Sequence, residues 1–527
     1  MDAVRLKNLR NLEDTDFIKI KPITFLLGSN SSGKSTFLRS FPLLRQSVAA
    51  RTTGPILWYG NLVDFGTFSE VLNNKSSVKE ISFFYKFRIP KSSNEDARFH
   101  WYRLYQTLRI LEELDTVLEL KMTTKEGDQD ITICKEISLF VLEHHIVIEI
   151  NGSGEVTKFM VNGSDFLSQG LQLRTEQSGG FIPQVFKVKN EPDDIEIPYY
   201  SYTKSKTSLF LETLVKKVKE SVHHKTSEEK IAFLVRNFGI GSSKAMLTNM
   251  KDIDIGGITW KKKVEKWDEH DLDYKYLRDL IIANSLLAIF ASCDDYISTF
   301  ARNISYIGPV RATAERYYRS QDLAVGDVDF QGKNLAMFVR NLTNDDQIDF
   351  ANWTKKNFGF SVDVRPSGEH VSLKIIEGDL QSGINLADTG FGFSQVLPIL
   401  TQLWWLGKKS AKSSYRSYNT VVFAIEQPEL HLHPKLQASL ADSFIAAIKS
   451  ARELGIDLRL IIETHSETII NRFGHQIANK SFDNDDVNVV IFDRKKPGDS
   501  VNIRGTSYDK DGFLINWPLG FFEPNMI

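Results

Sequence analysis

The chain has 527 residues, of which 42% are hydrophobic and 25% charged, and its 65 basic and 67 acidic side chains leave a net charge of −2. These values exclude a globally basic nucleic-acid-binding protein and an acidic disordered chain. The two cysteines, Cys134 and Cys293, are too few for a disulfide scaffold or a cysteine-rich metal site. The sequence shows neither a signal-like N-terminus nor an apolar run of about 18 residues, so we expect a cytoplasmic protein without membrane contact.

The N-terminal region predicts a strand, a loop and a helix in immediate succession. A buried strand from Ile23 to Leu27 precedes a loop of glycine, serine and asparagine, and a helix-like pattern runs from Lys34 to about Gln46. Residues 28–35, GSNSSGKS, match the pattern G-x-x-x-x-G-K-[ST]. With a strand before it and a helix after it, this segment is predicted to be a phosphate-binding P-loop.

Each residue type in this loop suits phosphate binding. Glycines let successive backbone N–H groups point toward an anion, and the N-terminus of the following helix adds its dipole. Lys34 is expected to reach the β- and γ-phosphates, and the Ser35 hydroxyl is expected to bind Mg²⁺. The predicted ATP contacts in this segment are Asn30, Ser31, Ser32, Gly33, Lys34, Ser35 and Thr36.

The middle of the chain has two different patterns. From about Val78 to Lys189, segments rich in β-branched and aromatic residues alternate with glycine, asparagine and aspartate, which predicts antiparallel strands. Residues 206–303 have mostly helical periodicity, strongest from Leu272 to Ile304.

The last third alternates strands and helices. Buried strands are predicted at Val421–Ile425, Leu458–Ile462 and Val487–Phe492, and helices at Ser394–Leu406 and Pro434–Ala451. Because the N-terminal region has the same character, the two ends are predicted to form one parallel α/β sheet. Residues 78–380 would then be a long insertion into it.

Polar residues follow two of these buried strands. Glu426 ends the strand VVFAI and is followed by Gln427 and Glu429, while His465 lies after the strand LRLII. A P-loop needs an acidic residue on a neighbouring strand to hold Mg²⁺, and the carboxyl ends of parallel strands face the ligand crevice. We therefore predict that Glu426 binds Mg²⁺ together with Ser35, and that His465 contacts a γ-phosphate or a water.

A second glycine-rich segment, DTGFGFSQ, precedes the predicted helix at Ser394. Two glycines and a serine at a helix start form another N-terminus that can receive a phosphate. An ordinary capped helix is the alternative interpretation.

Together these blocks resemble the ABC-type ATPases of the SMC/Rad50 and OLD branch. The resemblance is closest to the stand-alone AAA-family ATPase subunits of bacterial antiphage defence systems, such as Septu and the retrons that carry a Septu-like pair. It covers about residues 1–70, 304–316 and 385–527. It rests on GSNSSGKST as Walker A, YIGPVRATAER as the Y-x-G-P-x-R element, DTGFGFSQVLPIL as the signature motif, VVFAIEQPELHLHP as Walker B with the D-loop, and IIETHSE as the switch-histidine loop.

The resemblance implies an α/β fold with a P-loop ABC-type ATPase domain, a mixed sheet flanked by helices. A long insertion with an antiparallel β subdomain and a helical subdomain would split this domain. We assign residues 1–77 to its N-terminal half, 78–200 to the β subdomain, 201–303 to the helical insertion and 304–527 to its C-terminal half.

The resemblance also implies how ATP and Mg²⁺ would be bound. In ABC-type ATPases the signature motif of one protomer completes the nucleotide site of another, so ATP is sandwiched in a two-fold homodimer or a higher even-numbered oligomer. The residues expected to act in trans are Gly390, Gly392, Ser394 and Gln395. Arg10 and Asn11 lie where this branch contacts the base or ribose, although both would also suit a solvated turn.

One position departs from the family pattern. The residue after the Walker B acid is usually a catalytic glutamate, and here it is Gln427. Glutamine can orient a water but cannot accept its proton, so either hydrolysis is slow or Glu429 or His465 acts as the base. We favour slow hydrolysis, because a water-orienting glutamine sustains weak turnover in other NTPases.

The resemblance favours an ATPase subunit that controls a separately encoded effector, such as an HNH-type nuclease, in antiphage defence. Asp493 is a lone acid after the last predicted strand, without the paired carboxylates of a two-metal nuclease. Two alternatives stay open: an SMC/RecF-like ATPase that maintains or repairs DNA directly, and a nucleotide-dependent scaffold that holds a toxin with negligible turnover. Short basic runs, such as Lys261 to Lys263, leave contact with nucleic acid open.

Overall fold

Two large β-sheets, one mixed and one antiparallel, organise the computed structural model of the chain. Helices cover both faces of the mixed sheet, and the antiparallel sheet shares one hydrophobic core with a group of helices. The residues that the structure describes are 1–89, 117–127, 131–167, 171–177, 179–187, 210–253, 257–320, 325–378, 383–409, 420–494, 499–518 and 521.

The mixed sheet has six strands in the order β13-β18-β19-β4-β20-β21. All of its neighbouring pairs are parallel except β20 with β21, which is antiparallel. The strands are β4 (Ile23–Gly28), β13 (Ile304–Ile307), β18 (Thr420–Glu426), β19 (Asp457–Glu463), β20 (Val487–Asp493) and β21 (Asn502–Thr506).

The described helices fall into three groups along the chain. Near the N-terminus are α1 (Lys34–Ala49) and the short α2 (Phe68–Val71). The insertion contains α3 (Leu211–Lys219), α4 (Glu228–Asn237), α5 (Ser243–Asp252), α6 (Gly257–Val264) and α7 (Leu272–Arg302). The last third contains α8 (Leu335–Arg340), α9 (Asn344–Phe358), α10 (Phe391–Lys409), α11 (Pro434–Glu453) and α12 (Glu467–Ala478), with 3₁₀ turns at Leu386–Asp388 and Asn484–Asp486.

The central strands are apolar on both faces because helices cover both sides of the sheet. In β18, Val422 and Ala424 belong to the core that includes α1 and α7, whereas Phe423 and Ile425 belong to the core that includes α10, α11 and α12. The predicted α/β fold with a mixed sheet flanked by helices is therefore confirmed, as are the buried strands predicted in the last third.

The antiparallel sheet runs in the order β10-β9-β8-β7-β6-β5-β1-β2, with β3 paired to β1. Smaller sheets pair β11 with β12, and β14 to β17 with one another. The strands are β1 (Ala3–Leu9), β2 (Leu12–Asp14), β3 (Ile18–Lys19), β5 (Glu80–Phe87), β6 (Leu118–Glu126), β7 (Thr132–Val141), β8 (His144–Ile150), β9 (Val156–Val161), β10 (Ser164–Asp165), β11 (Leu173–Glu176), β12 (Gln184–Lys187), β14 (Tyr318–Arg319), β15 (Phe360–Ser367), β16 (His370–Glu377) and β17 (Ile384–Asn385).

The N-terminal strands differ from the sequence-based expectation. The residue pattern of 1–27 predicts two short strands around polar turns, one of them Ile23–Leu27, but the structure has β1, β2, β3 and β4 there. β1 pairs with β5 from Ala3 opposite Lys86 to Lys7 opposite Ser82, so the proposed boundary between residues 77 and 78 divides one continuous sheet. This long-range pairing leaves no local sequence signal, and the assigned domain limits stay a prediction.

Helix α7 is the longest described helix, and it lies in the core. It has the length and composition to cross a membrane, with a mean hydropathy of 1.5 over its most apolar 18-residue window. However, 67% of that window is buried inside the protein, as in the core helix of a soluble fold. It packs against α1, the helix that follows the P-loop.

Candidate nucleotide-binding site

The P-loop connects β4 to α1 and depends on two glycines. Gly28 has φ 142° and Gly33 has φ 99°, backbone conformations that side chains rarely adopt. A Cβ on Gly28 would lie 2.0 Å from the carbonyl oxygen of Phe492, and one on Gly33 would lie 2.5 Å from the Leu12 side chain. The loop therefore keeps its tight curve only with glycine at both positions.

Within the loop, the tip is open and the base is buried. Asn30 and Ser31 are exposed, whereas Ser32, Gly33, Lys34 and Thr36 are buried. The buried Ser32 hydroxyl has no hydrogen-bond partner among the described residues. A buried polar group without a partner is costly, so this hydroxyl suits a ligand held by the loop.

Lys34 is folded over the loop. Its Nζ donates to the carbonyl oxygens of Gly28 at 3.0 Å and Ser29 at 2.7 Å, and it lies 3.9 Å from Oε1 of Glu463. Burial lowers the pKa of Lys34, and the carboxylates of Glu463 and Glu429 oppose that shift. The amine is thus held beside the helix N-terminus, where it can neutralise a phosphate.

Glu426 lies at the end of β18, as the sequence predicts, but both of its oxygens have partners. Arg39 donates from Nε to Oε1 at 2.7 Å and from Nη2 to Oε2 at 2.8 Å. The Tyr306 hydroxyl also donates to Oε1, at 2.7 Å. The pKa of Arg39 is raised, chiefly by its hydrogen bond to Glu426, and the pKa of Tyr306 is raised, chiefly by burial.

Glu463 is a second buried carboxylate, and the sequence analysis gave it no role. It ends β19 directly opposite Glu426, because β18 and β19 pair in parallel register. Its Oε2 has no hydrogen-bond partner among the described residues. Burial raises its pKa, while Ser35 and Lys34 oppose that shift. The sequence feature that could have identified Glu463 is its position at the end of an apolar strand, where a polar side chain faces the ligand crevice.

The other catalytic candidates lie at the same edge of the sheet. Gln427 has φ 44°, and its backbone N–H donates to the carbonyl oxygen of Glu463 at 2.8 Å. Glu429 accepts from the Thr464 hydroxyl at 2.8 Å and from the backbone N–H of His465 at 2.7 Å. Its carboxylate therefore joins the loop after β18 to the loop after β19.

The ionisation of these groups follows from their surroundings. Burial raises the pKa of Glu429 despite its two hydrogen bonds. Partial burial and the charge of Lys34 lower the pKa of His465 below its ordinary value of 6.5. The His465 imidazole is therefore neutral at pH 7.

Two side chains of the Y-x-G-P-x-R element form hydrogen bonds to the Walker B segment. Tyr306 holds the Glu426 carboxylate, and Arg311 donates to the backbone carbonyl oxygens of Glu426 at 2.7 Å and Gln427 at 3.3 Å. Burial lowers the pKa of Arg311 to about 10. The sequence motif indicates this element, but no contact of Tyr306, Arg311 or Arg39 follows from the motif.

Arg10 and Asn11 lie beside the P-loop. Asn11 donates from Nδ2 to the carbonyl oxygen of Ser31 at 2.7 Å, and the guanidinium of Arg10 stands 4.4 Å from the centroid of the Phe65 ring. Both line a cleft of about 320 Å³ together with Arg494 and other polar residues. The cleft places a concave surface with several polar side chains next to the loop.

The signature residues lie at the start of α10, which begins at Phe391, three residues earlier than predicted. Gly390 and Phe391 are exposed, while the Ser394 hydroxyl is buried and donates to the carbonyl oxygen of Phe391 at 2.8 Å. Gln395 is buried beside it, and a Cβ on Gly392 would lie 3.3 Å from a backbone oxygen. Among the described residues, no hydrogen bond joins this turn to the P-loop of the same chain.

The residues present fit a magnesium ion shared with a nucleotide. The described part of the chain contains no group of three or more His, Cys, Asp or Glu side chains that could hold a metal alone. The Ser35 hydroxyl and a buried carboxylate nevertheless stand together beside Lys34, and Mg²⁺ characteristically takes one or two protein ligands and completes its shell with phosphate and water.

Comparison with known proteins decides the family. The sequence profile of the AAA ATPase domain family matches residues 1–470. The chain belongs to the AAA ATPase domain family. A search of curated proteins finds no match.

Three solved structures align with this AAA ATPase chain at low similarity. An SMC head bound to the C-winged helix domain of ScpA is 10% identical, with a TM-score of 0.30, over 97% of this chain and 98% of that chain. The SMC head domain from Thermotoga maritima is 8% identical, with a TM-score of 0.28, over 93% and 94%. The recombination mediator protein RecF-ATPrS of the RecFOR pathway is 11% identical, with a TM-score of 0.26, over 89% and 93%.

Membership of the AAA ATPase domain family confirms the predicted P-loop ATPase and its ATP binding. The roles of individual side chains stay predictions. The structure brings Lys34, Ser35, Glu426, Gln427, Glu429 and His465 to one edge of the sheet, and it leaves the signature turn outside that group.

Gln46 has a structural position in α1. Its side-chain amide bonds the carbonyl oxygens of Leu57 at 2.6 Å and Val63 at 3.1 Å, and its oxygen accepts from the N–H groups of Leu62 and Val63. It therefore fixes the loop after α1.

We expect Gln46→Leu to lower the free energy of unfolding by about 2–3 kcal/mol, because it leaves buried backbone groups without partners. The affinity for Mg-ATP should stay close to that of the wild type. Thermal unfolding and equilibrium nucleotide titration measure the two effects. A large loss of Mg-ATP affinity at unchanged stability would instead make Gln46 a ligand of the nucleotide site.

Proposed function

We propose that this protein is an ABC-type ATPase subunit of the SMC/Rad50 and OLD branch that holds Mg-ATP, hydrolyses it slowly and dimerises around it. The observation that carries this proposal is the composition of the edge beside the P-loop. Gln427 occupies the position of the usual catalytic glutamate, and both carboxylate oxygens of the nearby Glu429 accept hydrogen bonds. The site therefore has the groups that bind ATP, but position 427 has no carboxylate that could act as the base for hydrolysis.

The chemistry favours slow turnover. The Gln427 amide can orient a water molecule but cannot remove its proton. Glu429 can accept a proton only by weakening the bonds that it receives from Thr464 and His465. The neutral His465 is the remaining candidate base, and it lies at the end of the same edge, partly accessible to solvent.

Dimerisation is supported by the open signature turn. Gly390 and Phe391 are exposed at the N-terminus of α10, where backbone N–H groups can receive a phosphate. Because this turn has no hydrogen bond to its own P-loop among the described residues, we propose that it contacts ATP bound to a second protomer. A homodimer or a higher even-numbered oligomer follows from that geometry.

We further propose that a separately encoded effector, such as an HNH-type nuclease, causes damage to the target in antiphage defence, in the cytoplasm. This part of the proposal rests on the resemblance of the sequence motifs. Asp493, the acid that follows the last predicted strand, is exposed at the end of β20.

The short basic runs of the sequence give only weak support to the alternative that the protein acts directly on DNA. Lys263 lies 3.3 Å from Asp273, and Lys408 lies 2.6 Å from Asp346 and 3.1 Å from Asp349. These cations are already paired within the chain, which leaves less charge for phosphate contacts. DNA-stimulated hydrolysis would nevertheless move the assignment to the DNA-maintenance function.

The catalytic proposal predicts that Gln427→Glu raises kcat about 10²-fold, because a positioned general base contributes about 10²–10⁴-fold. Steady-state phosphate release measures the change, and Gln427→Ala is the matched control that should not gain activity. Fast wild-type turnover that Gln427→Ala leaves unchanged would contradict slow hydrolysis. Its loss in Glu429→Ala or in His465→Ala would then identify the base.

The assembly proposal predicts that the tagged chain, purified from its own operon, carries a stoichiometric second polypeptide. Native mass spectrometry with and without Mg-ATP reveals both that partner and any nucleotide-dependent dimer. A bare homodimer that forms only with ATP would support the sandwich but reject the effector. ATPase assays with added DNA would then decide for or against DNA maintenance.

A further inference from the structure

Two buried carboxylates end neighbouring strands at the nucleotide site, and only one of them faces the P-loop. Glu426 and Glu463 are paired in the register of β18 and β19, and their residues are 1% and 4% exposed. Both oxygens of Glu426 are bonded by Arg39, and Tyr306 adds a third hydrogen bond. The Walker B carboxylate is thus fully engaged within the protein.

Glu463 has the opposite surroundings. One oxygen lies 3.9 Å from Nζ of Lys34, and the other has no hydrogen-bond partner among the described residues. The neighbouring Ser35 side chain lowers the pKa of the same carboxylate. Lys34 and Ser35 are the P-loop residues expected to meet the phosphates and the metal. The free oxygen therefore lies at the place where a cation would find an available ligand.

We propose that Glu463, rather than Glu426, supplies the protein carboxylate to the Mg²⁺ that accompanies ATP, alongside the Ser35 hydroxyl. This inference rests on the proposed ATP binding and names the metal ligand within it. Glu426 is then a positioning residue, which holds Arg39 and Tyr306 and so fixes the end of β18.

Charge balance supports this division of roles. Arg39 forms a bidentate pair with Glu426, the geometry in which guanidinium and carboxylate interact most strongly. Removing that partner would leave a partly buried cation without compensation. Among the described residues, Glu463 forms a salt bridge with the more distant amine of Lys34, which phosphates also attract, so its charge is the one that a hard dication such as Mg²⁺ can compensate.

The simpler alternative is that Glu463 only pairs with Lys34. In that case its loss would change nucleotide affinity equally with and without metal. A metal ligand behaves differently, because its loss reduces the gain in affinity that Mg²⁺ provides and leaves metal-free binding intact. The dependence on Mg²⁺ therefore separates the two roles.

The experiment uses the full chain and a non-hydrolysable ATP analogue. Its affinity is measured by calorimetry in EDTA and at increasing Mg²⁺ for the wild type, Glu463→Gln and Glu426→Gln. Since loss of a group that supports a metal typically costs 10–100-fold in metal affinity, Glu463→Gln should reduce the Mg²⁺-dependent gain at least about ten-fold. Glu426→Gln should reduce it much less and should lower thermal stability, because Arg39 loses its partner.

The outcomes distinguish this inference from the proposed function. If the wild type does not bind the analogue, the proposed function itself fails. If it binds with a Mg²⁺-dependent gain that Glu463→Gln retains, or that Glu426→Gln loses equally, only the assignment of Glu463 is overturned. If either glutamine variant does not fold, Glu463→Asp and Glu426→Asp replace the pair, and the shortened side chain at 463 must reduce the gain more. The electron paramagnetic resonance spectrum of Mn²⁺ bound with the analogue gives a readout independent of affinity, and it should change in the variant at 463.

Discussion

The parallel pairing of β18, β19 and β4 is the constraint on which the whole site depends. Backbone hydrogen bonds place Glu426 opposite Glu463, and Glu463 opposite Leu26 beside the start of the P-loop. Because the carboxyl ends of parallel strands meet at one edge of a sheet, residues more than 400 positions apart in the sequence, such as Leu26 and Glu463, come together. Helices pack on both faces of these strands and exclude water from them. The rigid sheet thus defines the positions of the amine, the hydroxyl and the carboxylates.

Much of this arrangement could be predicted from local patterns, and the remainder depends on register. The strand before the P-loop, the helix that begins at Lys34 and the buried strands of the last third follow from apolar runs bounded by glycine and polar residues. The P-loop motif also carries its own chemistry. In contrast, the Arg39–Glu426 pair joins residues 387 positions apart, and the membership of β1 in the antiparallel sheet depends on its pairing with β5. Periodicity reports which face of an element is buried, but it does not report the neighbouring element.

Several buried charged side chains lie next to the P-loop, and only some of them have hydrogen-bond partners for all of their polar atoms. Arg39 and Tyr306 satisfy Glu426, and one nitrogen of Arg311 bonds the adjacent backbone. The other guanidinium nitrogens of Arg311 and one oxygen of Glu463 have no partners among the described residues. Fully satisfied polar networks rigidify a core, whereas unpaired buried groups carry a desolvation cost that a ligand can remove. Glu426, whose oxygens all have partners, is therefore suited to hold the surrounding structure in place. The unpaired carboxylate of Glu463 beside Lys34 is suited to bind a ligand.

Glu429 connects this binding edge to the signature turn of the same chain. Its carboxylate receives hydrogen bonds from Thr464 and His465, and its backbone carbonyl accepts from the N–H of Leu432 at 3.0 Å. The next contact joins that segment to the signature turn, because the Phe391 and His431 rings have centroids 6.1 Å apart. The loop that would meet the γ-phosphate and the turn that would meet the second protomer's ATP are thus linked by a series of contacts, of which the Phe391–His431 pair lies at the surface. In a dimer that holds ATP and hydrolyses it slowly, the Glu429 carboxylate is more useful as a link between these two loops than as a base that accepts a proton.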